Sequence, residues 1–129
     1  MKKILLLLAL LLTGCGTAQE EAATKYRRIT AEEAKTMMDE QENEIILDVR
    51  EQDEYEAGHI PGAVLLPVNM IDEDTAVGTI PERDTVVMVY CRSGNRSKQA
   101  AATLAELGYT QVYEFGGIRD WSYEVEKGM

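Results

Sequence analysis

Apolar residues cluster in short runs between polar stretches through most of the chain. Three of these runs, Ile45–Val49, Ala63–Leu66 and Val86–Tyr90, are continuous or nearly so. Such runs are typical of parallel strands that are covered on both faces of a sheet. Gln111–Phe115 predicts a fourth strand.

Helical signals alternate with the strand runs. Thr30 followed by Glu33 forms a capping box, which predicts a helix that begins at this point. Further helices are expected at Asp53–Ala57, within Asn69–Arg83, at Lys98–Leu107 and at Ile118–Glu126, with a turn at Gly116-Gly117. Strands that alternate with helices predict an α/β domain built on a parallel sheet.

The first residues carry a different pattern. Lys2 and Lys3 precede an unbroken apolar run, Ile4–Leu12, which is well short of the ~20 residues that span a bilayer and fits the apolar region of a secretory signal. The run ends in Leu12-Thr13-Gly14-Cys15, which resembles the bacterial lipobox. In lipoproteins of that kind the signal is removed before the Cys, and the Cys thiol carries a diacylglycerol. A plain signal peptide cleaved nearby is the alternative.

The lipobox resemblance divides the chain into three parts. Residues 1–14 are expected to be a cleaved signal peptide, residues 15–25 a polar tether lipidated at Cys15, and residues 26–129 the folded domain. We therefore expect the domain to lie outside the cytoplasm, in the cell envelope, and to be anchored to a membrane through the lipid on Cys15.

Charge and cysteine content narrow the classes of partner. The formal net charge is −10 at pH 7, and such an acidic surface repels nucleic acid and anionic lipid head groups. Acidity also keeps a small domain soluble. With Cys15 lipidated, Cys91 has no second thiol with which to form an intramolecular disulfide. A lone thiol in an oxidising compartment is a hazard unless it has a chemical role.

Cys91 is the candidate reactive residue. It follows the run Val86–Tyr90 and precedes a glycine-containing loop and a helix. Backbone N–H groups at the start of a helix lack partners within the helix, and the helix dipole adds positive potential there. A loop folded over that end forms an anion cradle, which lowers the pKa of a thiol below its free value of ~8.5. Arg92, Arg96 and Lys98 add cations, and Gly94 lets the loop curl tightly.

His59 is the only histidine in the sequence and stands in the turn-forming residues 58–63. A Cys–His pair requires contact between the two side chains, which the sequence leaves open. A histidine in a tight turn is more often structural, and we expect that role. One thiol and one imidazole also fall short of the three or four protein ligands that zinc takes, so we expect no metal site.

Four ordered motifs together resemble those of rhodanese domains: Leu47-Asp48-Val49-Arg50, Gly58-His59-Ile60-Pro61-Gly62-Ala63, Cys91-Arg92-Ser93-Gly94-Asn95-Arg96-Ser97, and Gly116-Gly117 with Trp121. The resemblance extends from about Ile29 to Glu126. It implies an α/β fold with a five-stranded, largely parallel sheet flanked by helices. We expect a monomer that needs no cofactor.

The same resemblance implies sulfur transfer by double displacement. The Cys91 thiolate attacks an anionic sulfane-sulfur donor, which could be thiosulfate, a polysulfide or a partner's persulfide, and the resulting Cys91 persulfide passes its outer sulfur to a thiophilic acceptor such as a cellular thiol. The resemblance assigns substrate binding to Arg92, Ser93, Gly94, Asn95, Arg96 and Ser97, with Arg92 and Arg96 attracting the donor. It assigns Asp48 and Arg50 to a structural ion pair behind the loop, and Gly62 and Gly117 to turns.

Two other functions are compatible with a cysteine loop of this kind. Phosphatases and arsenate reductases use a similar cradle with the spacing C-x5-R, in which the loop encircles a tetrahedral oxyanion. Here Cys91 and Arg96 stand at C-x4-R, so the cradle is narrower and suits a sulfur atom better. The second alternative is a non-catalytic rhodanese module that binds a partner or senses redox state, although inactive members typically lose the cysteine.

Lipidation at Cys15 leads to the first prediction. The wild-type protein should partition with membranes, because its lipid inserts into the bilayer, and Cys15→Ser should release the protein or leave an uncleaved precursor. Cell fractionation and mass spectrometry of the N-terminal peptide measure both effects. Recovery of unmodified wild-type protein entirely in the soluble fraction would contradict the lipid anchor.

Overall fold

A computed structural model describes residues 25–129 of the chain. The predicted signal peptide, residues 1–14, lies outside the described residues, as do Cys15 and nearly all of the predicted tether. Within residues 25–129, no helix is both long enough and apolar enough to cross a membrane.

Strands and helices alternate along this part of the chain. The strands are β1 (Arg27–Arg28), β2 (Ile45–Asp48), β3 (Val64–Leu65), β4 (Val86–Cys91) and β5 (Gln111–Gly117). The α-helices are α1 (Ala31–Glu40), α2 (Gln52–Ala57), α3 (Glu73–Thr79) and α4 (Asn95–Glu106). Short 3₁₀ turns lie at Val68–Met70 and Ile118–Asp120.

The sheet is parallel throughout, with the strand order β1-β5-β4-β2-β3. β4 is central and pairs with β2 on one side and β5 on the other. Because the strands are parallel, their carboxyl ends meet at one edge of the sheet, and this edge is where α/β proteins place their sites. Cys91 lies at this edge. The predicted fold class, an α/β domain with a five-stranded parallel sheet flanked by helices, is confirmed.

Burial on both faces of the sheet explains why β4 is apolar at each position. Successive side chains of a strand point to opposite faces. Val87 and Val89 pack with residues of α3 and α4, whereas Met88 and Tyr90 pack with residues of α1 and α2. All four side chains are fully buried. Because both faces of β4 are covered, polar and apolar residues do not alternate along it, and its sequence is a continuous apolar run.

The C-terminal segment departs from the sequence prediction. The helix predicted at Ile118–Glu126 is wrong, because only Ile118–Asp120 forms a 3₁₀ turn. Trp121 then packs into the core, and Glu126 forms an antiparallel bridge with His59. These tertiary contacts outweigh the helical preference of the segment. The turn predicted at Gly116-Gly117 is also wrong, because β5 continues through both residues.

Two features of the structure were not predicted from the apolar pattern. β1 lies at the edge of the sheet beside β5, and both of its arginines are exposed, so no apolar run marks it. α4 begins at Asn95 rather than at Lys98. The first turn of α4 is therefore formed by residues of the cysteine loop itself, which brings the helix N-terminus close to Cys91.

A buried polar cluster joins β2, β4 and the loop after α2. The fully buried Asp48 carboxylate accepts hydrogen bonds from Arg50 Nη2, at 2.7 Å, and from the Tyr90 hydroxyl. Tyr90 Oη also accepts the Ile60 N–H at 3.1 Å, and Arg50 Nη2 donates to the Gly58 carbonyl at 2.7 Å. Burial and the Asp48 charge raise the pKa of Tyr90, so its hydroxyl stays protonated and donates. Asp48 and Arg50 thus form a buried ion pair.

The cluster leads to a prediction for stability. Tyr90→Phe should lower the free energy of unfolding by about 1–3 kcal/mol, because it leaves the buried Ile60 N–H without its acceptor and removes a donor from Asp48. Urea unfolding followed by circular dichroism measures the change. Tyr113→Phe is the matched control, since Tyr113 is half-buried and its hydroxyl makes no hydrogen bond to the described residues. Equal stabilities of the two variants would contradict the role given to the Tyr90 hydroxyl.

Candidate active site

Cys91 is the last residue of β4, and the N-terminus of α4 lies over it. Gly94 immediately precedes the helix with φ of +114°, in the left-handed region that glycine adopts without strain. This conformation lets the chain reverse direction within the few residues between strand and helix. The position of Gly94 therefore determines where α4 begins relative to the thiol.

The Cys91 thiol is buried and lies within hydrogen-bond distance of the loop and the helix. The Gly94 N–H donates to Cys91 Sγ at 3.0 Å, and Ser97 Oγ lies 3.5 Å from the same sulfur. Burial raises the pKa of the Cys91 thiol, but hydrogen bonds from Ser97, Gly94 and Ser93 lower it. The hydrogen bonds prevail, so the pKa lies below its ordinary value. The geometry favours a thiolate.

The predicted loop residues fall into an exposed set and a buried set. Arg92, Ser93 and Asn95 are exposed, whereas Gly94 and Ser97 are buried. The buried pair contacts the sulfur directly, as described above. The side chains of the exposed residues form the outer surface of the loop, whereas the backbone N–H of Ser93 is directed to the sulfur.

A cleft of about 290 Å³ lies beside the loop. Its lining includes Arg50, Glu54, Gly58, Arg92, Ile118 and Arg119. The Arg119 N–H donates to the Arg92 carbonyl at 3.3 Å, so the two residues are held together through the backbone. Neither the Arg92 guanidinium nor the Arg119 guanidinium forms an ion pair with any residue of the described range. Besides the ion-paired Arg50 and Glu54, the cleft therefore has two further positive charges, in a chain whose net charge is −10.

Arg96 lies in the first turn of α4, and its guanidinium is already paired. Nη1 and Nη2 donate to the two carboxylate oxygens of Glu54, on α2, at 2.8 and 3.0 Å. The hydrogen bonds from Arg96 hold the pKa of Glu54 at about 2, so the pair is ionised at neutral pH. It connects α2 to α4 and balances the Arg96 charge. The role of Arg96 in attracting a donor stays a prediction.

The end of β5 lies directly against the cysteine loop. A Cβ atom on Gly117 would overlap the Arg92 carbonyl, so only glycine lets the two backbones approach this closely. Gly117 has φ of −132° and belongs to β5, and its assignment to a turn is therefore wrong. Gly62, with φ of +84°, does lie in a turn.

Comparison with known sequences identifies the family of this site. Residues 30–124, which include the whole cysteine loop, match the Rhodanese-like domain. The chain belongs to the rhodanese family. The resemblance drawn from the four motifs is confirmed, and the family accounts for both the parallel sheet and the position of the loop at the end of its central strand.

Individual relatives agree with this assignment. The thiosulfate sulfurtransferase PspE of Escherichia coli is 37% identical over 82 residues, which cover 64% of this chain and 78% of PspE. YrkF of Bacillus subtilis is 36% identical over 112 residues, which cover 86% of this chain but only 59% of YrkF. A solved structure of an E. coli rhodanese with anions has a TM-score of 0.62 and 34% identity, and it covers 66% of this chain and 99% of that one.

These similarities support sulfur transfer as the general chemistry of this rhodanese domain. Rhodanese-like sulfurtransferases use sulfur donors and thiol acceptors, which is the type of partner expected from the sequence. Cysteine is the side chain of the loop that can form a bond to sulfur, and Cys91 is buried where the loop N–H groups converge.

The rhodanese site also contains a buried carboxylate that was not predicted from the sequence. Glu114 of β5 is fully buried, and its Oε2 atom accepts hydrogen bonds from Ser97 Oγ at 2.6 Å and from the Gly116 N–H at 2.9 Å. Arg28 Nε donates to Oε1 at 3.1 Å. The available signal was one acidic residue within the strand run Gln111–Phe115, at a position where burial favours an apolar side chain.

His59 is held in contacts outside the cysteine loop. Its ring stacks on that of Tyr55 with 3.7 Å between centroids, and Nδ1 lies 2.8 Å from the Tyr55 carbonyl. Its backbone pairs with that of Glu126. Within residues 25–129, His59 makes no hydrogen bond to Cys91. These contacts agree with the structural role expected for it.

The close approach of β5 to the loop leads to a prediction. Gly117→Ala should lower the free energy of unfolding by about 1–3 kcal/mol and raise the pKa of Cys91, because the new methyl group displaces the Arg92 carbonyl and the N–H groups after it. Urea unfolding and the pH dependence of Cys91 alkylation measure the two effects. Gly78→Ala is the matched control, since nothing lies within 4 Å of its Cβ position. A Gly117→Ala variant that matches the control in both measurements would refute the packing role of Gly117.

Proposed function

We propose that this domain is a thiosulfate-type sulfurtransferase that carries sulfane sulfur as a persulfide on Cys91. The observation that carries the proposal is the Gly94 N–H at 3.0 Å from Cys91 Sγ, on a buried thiol at the N-terminus of α4. This arrangement stabilises a negatively charged sulfur. The name of the relative PspE, a thiosulfate sulfurtransferase, supports thiosulfate as the donor.

The proposed reaction has two displacements. In the first, the Cys91 thiolate attacks the outer sulfur of thiosulfate, a new S–S bond forms, and the bond between the two sulfurs of the donor breaks. Sulfite leaves with the electron pair of that bond, and Cys91 becomes a persulfide anion. In the second, a thiophilic acceptor, cyanide in the laboratory or a cellular thiol, attacks the outer sulfur. The Cys91 thiolate is then regenerated, and no cofactor is needed.

The loop has a role in both displacements. The negative charge lies on sulfur before and after the first step, so N–H groups that stabilise the thiolate also stabilise the persulfide anion. Gly94, Ser93 and Ser97 supply these hydrogen bonds to the thiolate. A cradle of fixed backbone dipoles needs little reorganisation between the two states, because it is held by the chain itself.

Electrostatics support an anionic donor. Arg92 and Arg119 line the cleft beside the loop, and Asn95 of the same loop is exposed. Positive charges at a cleft raise the local concentration of anions. We assign donor attraction mainly to Arg92, with Arg119 as a second cation, because Arg96 is paired with Glu54.

The N-terminal residues set where the reaction would take place. We propose that residues 1–14 are removed as a signal peptide, that Cys15 carries a lipid, and that the domain works as a monomer in the cell envelope. The lipobox-like motif Leu12–Cys15 supports this location. A membrane anchor would leave the cysteine loop accessible to small donors and thiols.

The proposal separates sulfur transfer from the two alternatives. The purified protein should form thiocyanate from thiosulfate and cyanide, and it should leave aryl phosphates intact because the C-x4-R cradle is narrow. Cys91→Ser should abolish thiocyanate formation, since a hydroxyl cannot hold the transferred sulfur. Aryl phosphate hydrolysis that depends on Cys91, without thiocyanate formation, would favour the phosphatase. If the folded wild-type protein neither forms thiocyanate nor hydrolyses aryl phosphates, the non-catalytic binding module is favoured.

A further inference from the structure

Three buried side chains form a hydrogen-bonded chain that begins at the nucleophile. Cys91, Ser97 and Glu114 are at most 1% exposed, and they come from β4, α4 and β5. We propose that Glu114 is the internal proton acceptor for Cys91 and that the proton passes through the Ser97 hydroxyl. This inference rests on the proposed function, in which the Cys91 thiolate is the nucleophile.

The distances set the direction of the hydrogen bonds. Ser97 Oγ lies 2.6 Å from Glu114 Oε2 and 3.5 Å from Cys91 Sγ. A serine hydroxyl has one proton, and a hydrogen bond to a carboxylate is shorter and stronger than a neutral one. With the thiol protonated, Ser97 therefore donates to Glu114, and its oxygen accepts the Cys91 S–H.

The same contacts define a proton transfer from the Cys91 thiol to the Glu114 carboxylate. The Cys91 S–H proton moves to Ser97 Oγ while the original Ser97 proton moves to Glu114 Oε2. Sulfur keeps the electron pair of the broken S–H bond, and nothing is oxidised or reduced. The products are a Cys91 thiolate, an intact Ser97 hydroxyl that now donates to it, and a protonated Glu114. Ser97 therefore changes from acceptor to donor when the thiolate forms.

The partners of Glu114 come from the strands on both sides of β5, from β5 itself and from α4. The fully buried carboxyl group accepts hydrogen bonds from the Gly116 N–H at 2.9 Å and from Arg28 Nε at 3.1 Å. Arg28, on β1, is the charged group that pairs with Glu114, and its side chain is 63% exposed, so water weakens the pair. On β4 and α4, the groups that face the carboxyl are the Cys91 thiol, through Ser97, and the Ser97 hydroxyl. The Cys91 thiol and the Glu114 carboxyl group are thus joined by a single hydroxyl, along which a proton can pass.

Glu114 ties β5 to α4 through Ser97, and the same hydrogen bond also leads to the nucleophile. The other buried side chains of β4 and β5 on the faces of the sheet are apolar. An apolar residue at position 114 would need neither Ser97 nor Arg28 as a hydrogen-bond partner. A buried carboxylate is costly unless it is paired, and here its cationic partner is exposed. Among the described residues, the shortest hydrogen bond of the carboxyl group is to the Ser97 hydroxyl, which lies 3.5 Å from Cys91 Sγ.

The pH dependence of Cys91 alkylation tests the proposal. Iodoacetamide reacts with the thiolate, and mass spectrometry of the Cys91 peptide follows the rate in the full chain. Two groups that share a proton titrate in two steps, so the wild-type rate should rise in two steps with pH. Glu114→Gln should give one step, with a midpoint about one pH unit below the upper wild-type step, because the negative charge that opposes full ionisation is gone. Ser97→Ala should reduce the amplitude of the lower step, because the thiolate loses the Ser97 hydrogen bond that stabilises it in the one-proton state.

Arg28 provides a variant that leaves the core intact. Arg28→Gln removes the cation that favours the Glu114 carboxylate, so the lower step should gain amplitude and the upper midpoint should rise. Arg27→Gln is the matched control, because Arg27 is the adjacent exposed arginine of β1 and its side chain has no hydrogen bond to Glu114 among the described residues. Its profile should equal that of the wild type.

The outcomes separate this inference from the proposed function. A wild-type profile that coincides with that of Glu114→Gln overturns the proton-acceptor role. If Glu114→Gln does not fold, equal profiles for Arg28→Gln and Arg27→Gln overturn it instead. Because alkylation does not involve sulfur transfer, a two-step wild-type profile in a protein that forms no thiocyanate would support the acceptor role and refute the sulfurtransferase.

Discussion

Burial keeps a thiol protonated unless hydrogen bonds stabilise the thiolate, and in this protein Cys91 is almost completely buried. The Gly94 N–H, 3.0 Å from Sγ, supplies the closest of these hydrogen bonds. It reaches the sulfur because β4 ends at Cys91 and because the positive φ of Gly94 starts α4 directly afterwards. The remaining features of the site hold this short segment in place.

The segment is held by three contacts, two with β5 and one with α2. Gly117 of β5 lets the strand pack against the Arg92 carbonyl, which limits movement of the loop. The two-point ion pair between Arg96 and Glu54 ties the first turn of α4 to α2. Ser97, one residue further along the helix, is tied through its hydroxyl to β5. A cradle fixed at three points, two on β5 and one on α2, presents its dipoles with little reorganisation when charge moves between sulfur atoms.

Local patterns explain how much could be predicted from the sequence. β4 is covered on both faces and is therefore a continuous apolar run, and the capping box of α1 is complete within Thr30 and Glu33. Cys91 could be recognised because a cysteine between a buried strand and a glycine-containing loop is typical of an anion cradle. The family, and with it the parallel sheet, followed from motifs that are each contiguous in the chain.

Contacts between distant residues explain what could not be predicted. The pairing of Arg96 with Glu54 and the burial of Glu114 beside Ser97 depend on which elements become neighbours in the fold. The segment after Ile118 was predicted to be helical from its local composition, but the packing of Trp121 and the backbone bridge of Glu126 outweigh that preference. Gly117 resembles a turn residue in the sequence, whereas its lack of a side chain serves close packing within a strand.

The central claim is that Cys91 carries the transferred sulfur. Mass spectrometry of the folded protein after treatment with thiosulfate, resolved to the Cys91 peptide, tests it most directly. We expect the Cys91 peptide to gain the mass of one sulfur atom and to lose it again on addition of cyanide or a thiol, while Cys91→Ser gains nothing. A wild-type Cys91 peptide that gains no sulfur, or a Cys91→Ser protein that gains as much as the wild type, would contradict the claim.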